Sequence, residues 1–196
     1  YIEQAYQSGV RNFVVSKTDH FTASGARFLL VKDVLEALQK LVGWHRSQLK
    51  MTVVGITGSN GKTIVKEWLH QLLHQHYQIV RNPKSYNSQV GVALSVWQAN
   101  EHHNLGLFEA GISKPGEMEK LEKMLKPDLG IFTNIGDAHS AGFENIQQKI
   151  REKLKLFSES KDLILCSDHK AVHNEAKAFA TDHKNLQLHT WSWHQE

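Results

Sequence analysis

Cysteine, net charge and unbroken apolar sequence are all scarce in this chain, and each scarcity removes a class of explanation. A single cysteine, Cys166, excludes an intrachain disulfide framework and fits a reducing cytosol. With 23 basic against 20 acidic side chains the formal charge is only +3, too small and too evenly spread to argue for a nucleic-acid surface, and the 13 histidines change this little. No apolar run approaches the roughly 18–20 residues of a membrane span, and nothing reads as a secretory signal. Neither a repeat nor a low-complexity linker divides the sequence. What remains is an ordinary globular composition, and 196 residues are enough to bury a real core. The chain opens at Tyr1, inside an already periodic segment and without an initiator methionine, as expected of a piece of a longer protein.

Apolar bursts rich in Val and Ile alternate with segments of helical period, the rhythm of a mostly parallel sheet flanked by helices. The expected class is α/β: a central phosphate-loop domain over residues 50–196, preceded at 1–49 by part of a smaller α/β domain. In the first part the pattern predicts a helix ending near Gly9, strands at Asn12–Ser16 and Phe28–Val31, and a helix from an Asp33 N-cap to about Leu49. In the second it predicts strands at Met51–Thr57, Gln78–Val80, Gly106–Glu109, Leu129–Asn134, Leu163–Cys166 and Leu186–Thr190. The helix after the first of these carries Ile64, Val65, Trp68, Leu69, Leu72 and Leu73 on one expected apolar stripe.

The most informative stretch is Val53-Val54-Gly55-Ile56-Thr57-Gly58-Ser59-Asn60-Gly61-Lys62-Thr63, a strand running into a glycine-rich loop. Such a loop points backbone N–H groups at a polyphosphate, the next helix adds its positive end, Lys62 supplies a cation and Thr63 a hydroxyl for magnesium. A plain Gly/Asn turn accounts for Gly58 and Gly61 but not for Lys62-Thr63 after a buried strand. The spacing is a contracted G-x-x-G-K-T, since the position six before the lysine is Ile56. Three other segments offer polar groups after apolar runs. Asn82-Pro83-Lys84-Ser85-Tyr86-Asn87-Ser88-Gln89-Val90-Gly91 leads into a helix start that presents amides and a cation, or is simply a loop capped by Asn87 or Ser88. Glu109 stands at the carboxyl end of a buried strand, where an unpartnered charge is costly and magnesium is an economical partner. Asn134 and His139 end another strand in the same way.

Other conspicuous residues read as ordinary structure. His70, His74 and His76 share a helix end but lack a third ligand at zinc spacing. Trp44, Trp68 and Trp97 are expected in core or interdomain packing.

Taken in this order, the contracted loop, the strand-end glutamate and the Asn134…His139 pair resemble the Mur ligase family, ATP-dependent enzymes of bacterial, cytoplasmic peptidoglycan assembly. The run from Gly58 to Glu67, with Lys84-Ser85-Tyr86-Asn87-Ser88-Gln89-Val90-Gly91, is most similar to the branch that adds D-alanyl-D-alanine to UDP-N-acetylmuramoyl-tripeptide, including forms fused to an alanine racemase. The resemblance departs at Asn87-Ser88, where paired asparagines are usual, and at Ala93, where proline is common. It spans Met51 to Trp193 as the ATPase domain and Tyr1 to Leu49 as the end of a UDP-sugar domain. It leaves out the early uridine-gripping part and the C-terminal domain, so this piece is not expected to ligate alone.

The family pattern implies that Gly58, Ser59, Asn60, Gly61, Lys62 and Thr63 cradle ATP, with Lys62 on the β- and γ-phosphates. Thr63 and Glu109 would hold a first magnesium, His139 a second, and Asn134 the nucleotide region. Lys84, Ser85, Asn87 and Ser88 correspond to the substrate loop. A family lysine carbamoylated by carbon dioxide, an anionic metal ligand, matches Lys153, with Lys149 and Lys155 as alternatives because Leu154-Lys155 replaces the usual surroundings. Lys62, Lys153 and His139 are thus the implied catalytic set, and phosphoryl transfer to a carboxylate is the implied chemistry. Rival expectations are another Mur step, a folylpolyglutamate- or cyanophycin-type ligase, and a non-catalytic ATP-binding module.

Overall fold

The structure, a computed structural model, describes residues 1–17, 24–136 and 142–194. The chain begins with α1 (Ile2–Gln7), then β1 (Asn12–Val15) and β2 (Arg27–Leu30), which pair in parallel as a two-stranded sheet. α2 (Val34–Ser47) follows, started by Asp33, whose side chain accepts the Glu36 amide at 2.9 Å. That contact satisfies one of the orphan donors of the first turn, as the sequence predicts.

The larger sheet contains six strands, all parallel: β3 (Thr52–Thr57), β4 (Ile79–Arg81), β5 (Leu105–Glu109), β6 (Leu129–Phe132), β7 (Asp162–Cys166) and β8 (Gln187–Trp191). Their spatial order is β4-β5-β3-β6-β7-β8. The chain leaves β3 for the edge strand β4, returns inward to β5 beside β3, then crosses to build the other side outward from β6. Parallel sheets bind ligands where the winding reverses, at the strands' carboxyl ends. Here that edge gathers the ends of β3, β5 and β6. The expected strand at 129–134 stops at Phe132, which frees Thr133 and Asn134 for contacts outside the sheet.

The helices that connect these strands are α3 (Lys62–Leu73), α4 (Gln89–Val96), α5 (Glu117–Leu125), α6 (Ile146–Leu154) and α7 (Lys170–Asp182). One sheet face carries the main core, where Val53, Phe108, Phe132, Leu163 and Leu165 meet residues of α4 to α7. On the other face Val54, Ile56, Leu105 and Leu107 pack against Val65, Leu69 and Leu73 of α3. Ile64, Trp68 and Leu72 do not join them; they are exposed, so the expected apolar stripe of α3 is only half buried. Six apolar residues on so short a helix cover a wider arc than one sheet face takes up. Trp44 and Trp97 are likewise exposed rather than in the core, although the Trp97 ring, just past α4, rests 4.9 Å from the His45 ring of α2, a contact between the two expected parts of the chain. No helix among the described residues is long and apolar enough to cross a membrane.

α2 packs on α4 and α5, and its Val42 is fully buried within the main core. The helix before residue 50 therefore shares its hydrophobic interior with the six-stranded sheet. Val42→Ala should lower the stability of that sheet by about 1–3 kcal/mol, the effect of a small core truncation. Urea unfolding followed through β3 and β5 amides measures this, and an unchanged midpoint would detach α2 from the larger unit.

Candidate active site

β3 ends in the loop 58–61, and two of its glycines are obligatory on conformation. Gly58 has φ 142° and Gly61 φ 81°. A Cβ on Gly58 would also stand 2.0 Å from Thr133 Oγ1. That closeness exists because the end of β6 braces the loop. Thr133 Oγ1 donates to Asn60 O at 2.7 Å, Asn60 N donates to Asn134 Oδ1 at 3.0 Å, and Ser59 N donates to Asn134 O at 2.9 Å. Ser59 and Gly136 add a further pair between hydroxyl and backbone. α3 begins at Gly61 with no side-chain cap, so the N–H groups of its first turn are left for a ligand. Lys62 Nζ arches back onto Gly58 O at 2.9 Å and Ser59 O at 3.1 Å. Burial lowers its pKa, with Lys149 adding to the effect and Glu109 opposing it.

In the first turn of α3, Thr63 Oγ1 donates to Glu109 Oε2 at 2.9 Å. The Glu109 carboxylate is fully buried, and its other oxygen lies 3.1 Å from Lys66 Nζ. A fit to magnesium can be judged from that spacing. An octahedral ion with oxygens at about 2.0–2.1 Å places adjacent ligands roughly 2.9–3.0 Å apart. Thr63 Oγ1 and Glu109 Oε2 already have that separation, and both are hard oxygen donors. The residues present fit the ion.

Of the three lysines offered for carbamoylation, the structure separates the candidates sharply. Lys155 forms ion pairs with Glu119 at 2.8 Å and Glu152 at 2.6 Å, which raise its pKa and keep it an ammonium. Lys153, on the opposite side of the same helix end, is 3% exposed and donates to Gly58 O at 3.1 Å. Burial above all, then Lys62 and Lys149, pushes its pKa down to about 7. Lys149 is buried as well, and its Nζ bonds to Gly136 O. α6 therefore brings two lysines to the backbone of the phosphate loop and of Gly136, while Lys155, just past its end, is half-buried between Glu119 and Glu152.

Ser88, not Asn87, is the cap of α4, accepting from Gly91 N at 3.2 Å. Asn87 packs on Gly111, whose amide donates to Asn87 O at 2.8 Å. Together with Lys62, Ser113 and Lys153 these residues line a cleft of about 300 Å³. The side chains of Lys84 and Ser85 are exposed and lie outside that lining. His139 falls outside the described residues. Two residues of the edge escaped the sequence reading. Lys66 is wholly buried beside Glu109, and Asn82, also buried, accepts Glu109 N on Oδ1 at 2.7 Å. The only signal for Lys66 was its place one turn beyond Lys62, on the same face of α3; nothing in the sequence pairs Asn82 with Glu109.

Comparison with known proteins bears on the family and the fold. A family model described as the Mur ligase middle domain matches residues 56–193. The UDP-N-acetylmuramoyl-tripeptide–D-alanyl-D-alanine ligase of Treponema pallidum is 35% identical over 169 residues, which are 81% of this chain and 37% of that protein. The ligase of the same name from Bacillus subtilis is 29% identical over 204 residues, 100% of this chain and 45% of its own. Among solved structures, the MurF ligase of Thermotoga maritima in complex with ADP has the same fold, with TM-score 0.85 at 24% identity, over 99% of this chain and 44% of that one. The chain thus spans less than half the length of these curated relatives.

The low pKa of Lys153 makes stability depend on pH with a definite sign. Below about pH 7 the folded and unfolded states both carry the proton, and the penalty for burying the charge is complete. Between about 7 and the ordinary lysine value of 10.5 the unfolded chain binds a proton that the folded chain does not, so stability rises with pH. Lys153→Met should flatten that rise and stabilise the protein below pH 7 by a few kcal/mol, on the order of the shift. Urea midpoints of the two proteins at pH 6 to 10 (roughly the window set by the shift) test this; parallel curves would contradict it.

Proposed function

Since this chain belongs to the Mur ligase family, matching its middle domain, we propose that it is the ATP-handling part of a ligase joining D-alanyl-D-alanine to UDP-N-acetylmuramoyl-tripeptide. The two relatives compared above bear that activity in their names. One observation carries the reading for this chain's own chemistry: a buried, readily deprotonated Lys153 that shares a cleft and the Gly58 carbonyl with Lys62, the neighbour in sequence of the Thr63 that pairs with Glu109. A nucleotide switch has use for a phosphate loop and a metal pair, but not for a near-neutral amine behind them.

In this proposal the loop from Gly58 to Gly61, with the open end of α3, receives the polyphosphate, and Asn134 fixes the loop from behind. A carboxylate of the peptide substrate attacks the γ-phosphorus, one P–O bond forms, and the bond to ADP breaks. Lys62 offsets charge gathering on the transferred phosphoryl group. The amine of the incoming dipeptide then attacks the acyl carbon, phosphate departs, and the amine loses a proton. Thr63 and Glu109 would hold magnesium, with His139 proposed for a second ion; the ion supplies Lewis-acid neutralisation of phosphate charge.

Lys153 suits carbamoylation because the reaction needs the free amine. Its nitrogen would bond to the carbon of carbon dioxide as one proton leaves, giving an anion beside Lys62 and Lys149 that would offer an oxygen ligand to magnesium. At neutral pH a pKa near 7 leaves roughly a thousandfold more free amine than an ordinary lysine has. The loop with Lys84, Ser85, Asn87 and Ser88 is proposed to face the UDP-linked peptide, residues 1–49 to close a UDP-sugar domain, and the bacterial cytoplasm to be the place of action.

Calorimetry with ADP and ATP, with and without magnesium, tests the nucleotide half. Lys62→Ala should weaken binding about tenfold to a hundredfold, the loss of a charge-assisted contact. Glu109→Ala should abolish the magnesium dependence. Binding indifferent to magnesium in the unaltered chain would sink the metal assignment. Isotopically labelled bicarbonate tests the second half by NMR: a carbamate signal is expected in the unaltered protein and not in Lys153→Ala. Survival in Lys153→Ala with loss in Lys149→Ala would move the role to Lys149.

A further inference from the structure

The buried cation that the proposed chemistry leaves without a task is Lys66. It is 0% exposed and sits one helical turn beyond Lys62. Its ammonium donates to Asn82 O at 2.7 Å, to Lys84 O, and to Glu109 Oε1 at 3.1 Å. An ammonium has three protons to give, and this one finds three hydrogen-bonding oxygens from two parts of the site, with the Glu67 carboxylate of its own helix a further ion-pair neighbour at 3.4 Å. Two belong to the loop that leads into α4; the third belongs to the strand-end carboxylate that faces Thr63.

The loop needs an anchor for a local reason. Lys84 has φ 51°, in the left-handed region where a side chain other than glycine is strained. Its carbonyl is turned inward by that conformation, onto Lys66. Asn82 completes the attachment from the other direction, its Nδ2 donating to Tyr86 O at 2.7 Å while Oδ1 accepts Glu109 N. Downstream of this clasp stand Asn87 and Ser88, which line the cleft with Lys62 and Lys153.

We propose that Lys66 is a positioning residue: it clamps the loop 82–88 to the carboxyl end of β5, so that one buried ammonium sets both the loop's conformation and the orientation of the Glu109 carboxylate. The cleft's polar wall is then built from the same ion as the proposed metal side. The link to metal rests on the function proposed above; the clamp on the loop does not.

Native-state hydrogen exchange reads the clamp directly, because the amides of Tyr86 and Asn87 are bonded within the loop, to Pro83 O and Ser85 O. Removing a charged donor that holds a loop by two carbonyls should speed exchange at these amides by about tenfold to a hundredfold. Lys66→Met is the direct variant, but it leaves Glu109 buried without its cation. The neutral double variant Lys66→Met/Glu109→Gln avoids that, and Glu109→Gln alone keeps the clamp. The expected result is fast exchange at Tyr86 and Asn87 in the double variant, slow exchange in Glu109→Gln, and β3 and β6 amides that follow global stability in each. A merely structural lysine would change all amides together. Loop amides that track β3 in the double variant, or that loosen equally in Glu109→Gln, would overturn the proposal. Neither outcome depends on ATP or magnesium, so failure of the clamp is distinguishable from failure of the proposed function.

Discussion

The pairing of Glu109 with Lys66 is the contact on which the rest of the site depends. A carboxylate at the end of a wholly buried strand has no water to solvate it, and an isolated charge there would be expelled or neutralised. Lys66 reaches it from α3, and Thr63, from the turn before, takes the remaining oxygen. Both partners come from the helix that the phosphate loop begins. The electrostatic needs of β5 therefore hold α3 in register with the sheet, and α3 in turn fixes where Lys62 and the open N–H groups point.

A second set of cations arrives from α6. Lys153 and Lys149 donate to Gly58 O and Gly136 O, and Lys153 shares the Gly58 carbonyl with Lys62. Gathering positive charge at one loop suits a polyphosphate, but every added cation makes the others harder to keep protonated. Lys153 is where the conflict shows, since burial and two like charges act together on it. Lys155, two residues on, meets Glu119 and Glu152 and moves the opposite way. The same residue type within one turn of helix and its continuation is thus pushed toward the free amine or held as an ammonium according to the face it occupies.

Much of this was legible in the sequence where chemistry and local structure coincide. The contracted glycine loop, the strand end at Glu109 and the Asp33 cap depend on neighbours in the chain, so their residue types announce them. Lys153 could be singled out only together with Lys149 and Lys155, because burial, the property that separates them, is decided by packing of α6 on the sheet. Lys66 and Asn82 were passed over for the same reason: a lysine on a helix is normally solvated, and its conversion into a buried ion requires a carboxylate from a strand far along the chain. The exposed tryptophans fail in the opposite sense. Their apolar surface predicts burial, but α2, α3 and α4 each have another stripe that reaches the core first.

The placement of Lys66 also bears on how such an edge can respond to its ligands. Packed cores do not deform gradually, so groups that share one ion tend to move together or not at all. The loop before α4 and the carboxylate of β5 share Lys66, and the carboxylate shares Thr63 with the phosphate loop. Under the proposed clamp, a ligand that draws Glu109 toward Thr63 would act, through one buried ammonium, on the backbone that carries Asn87 and Ser88. Coupling of this kind is reciprocal: an occupant of the cleft beside Asn87 and Ser88 would then alter affinity at the Thr63–Glu109 pair by the same factor. The bonds of Lys66 are thus the route, under that proposal, by which the cleft wall at Asn87 and Ser88 and the Thr63–Glu109 pair are set as one.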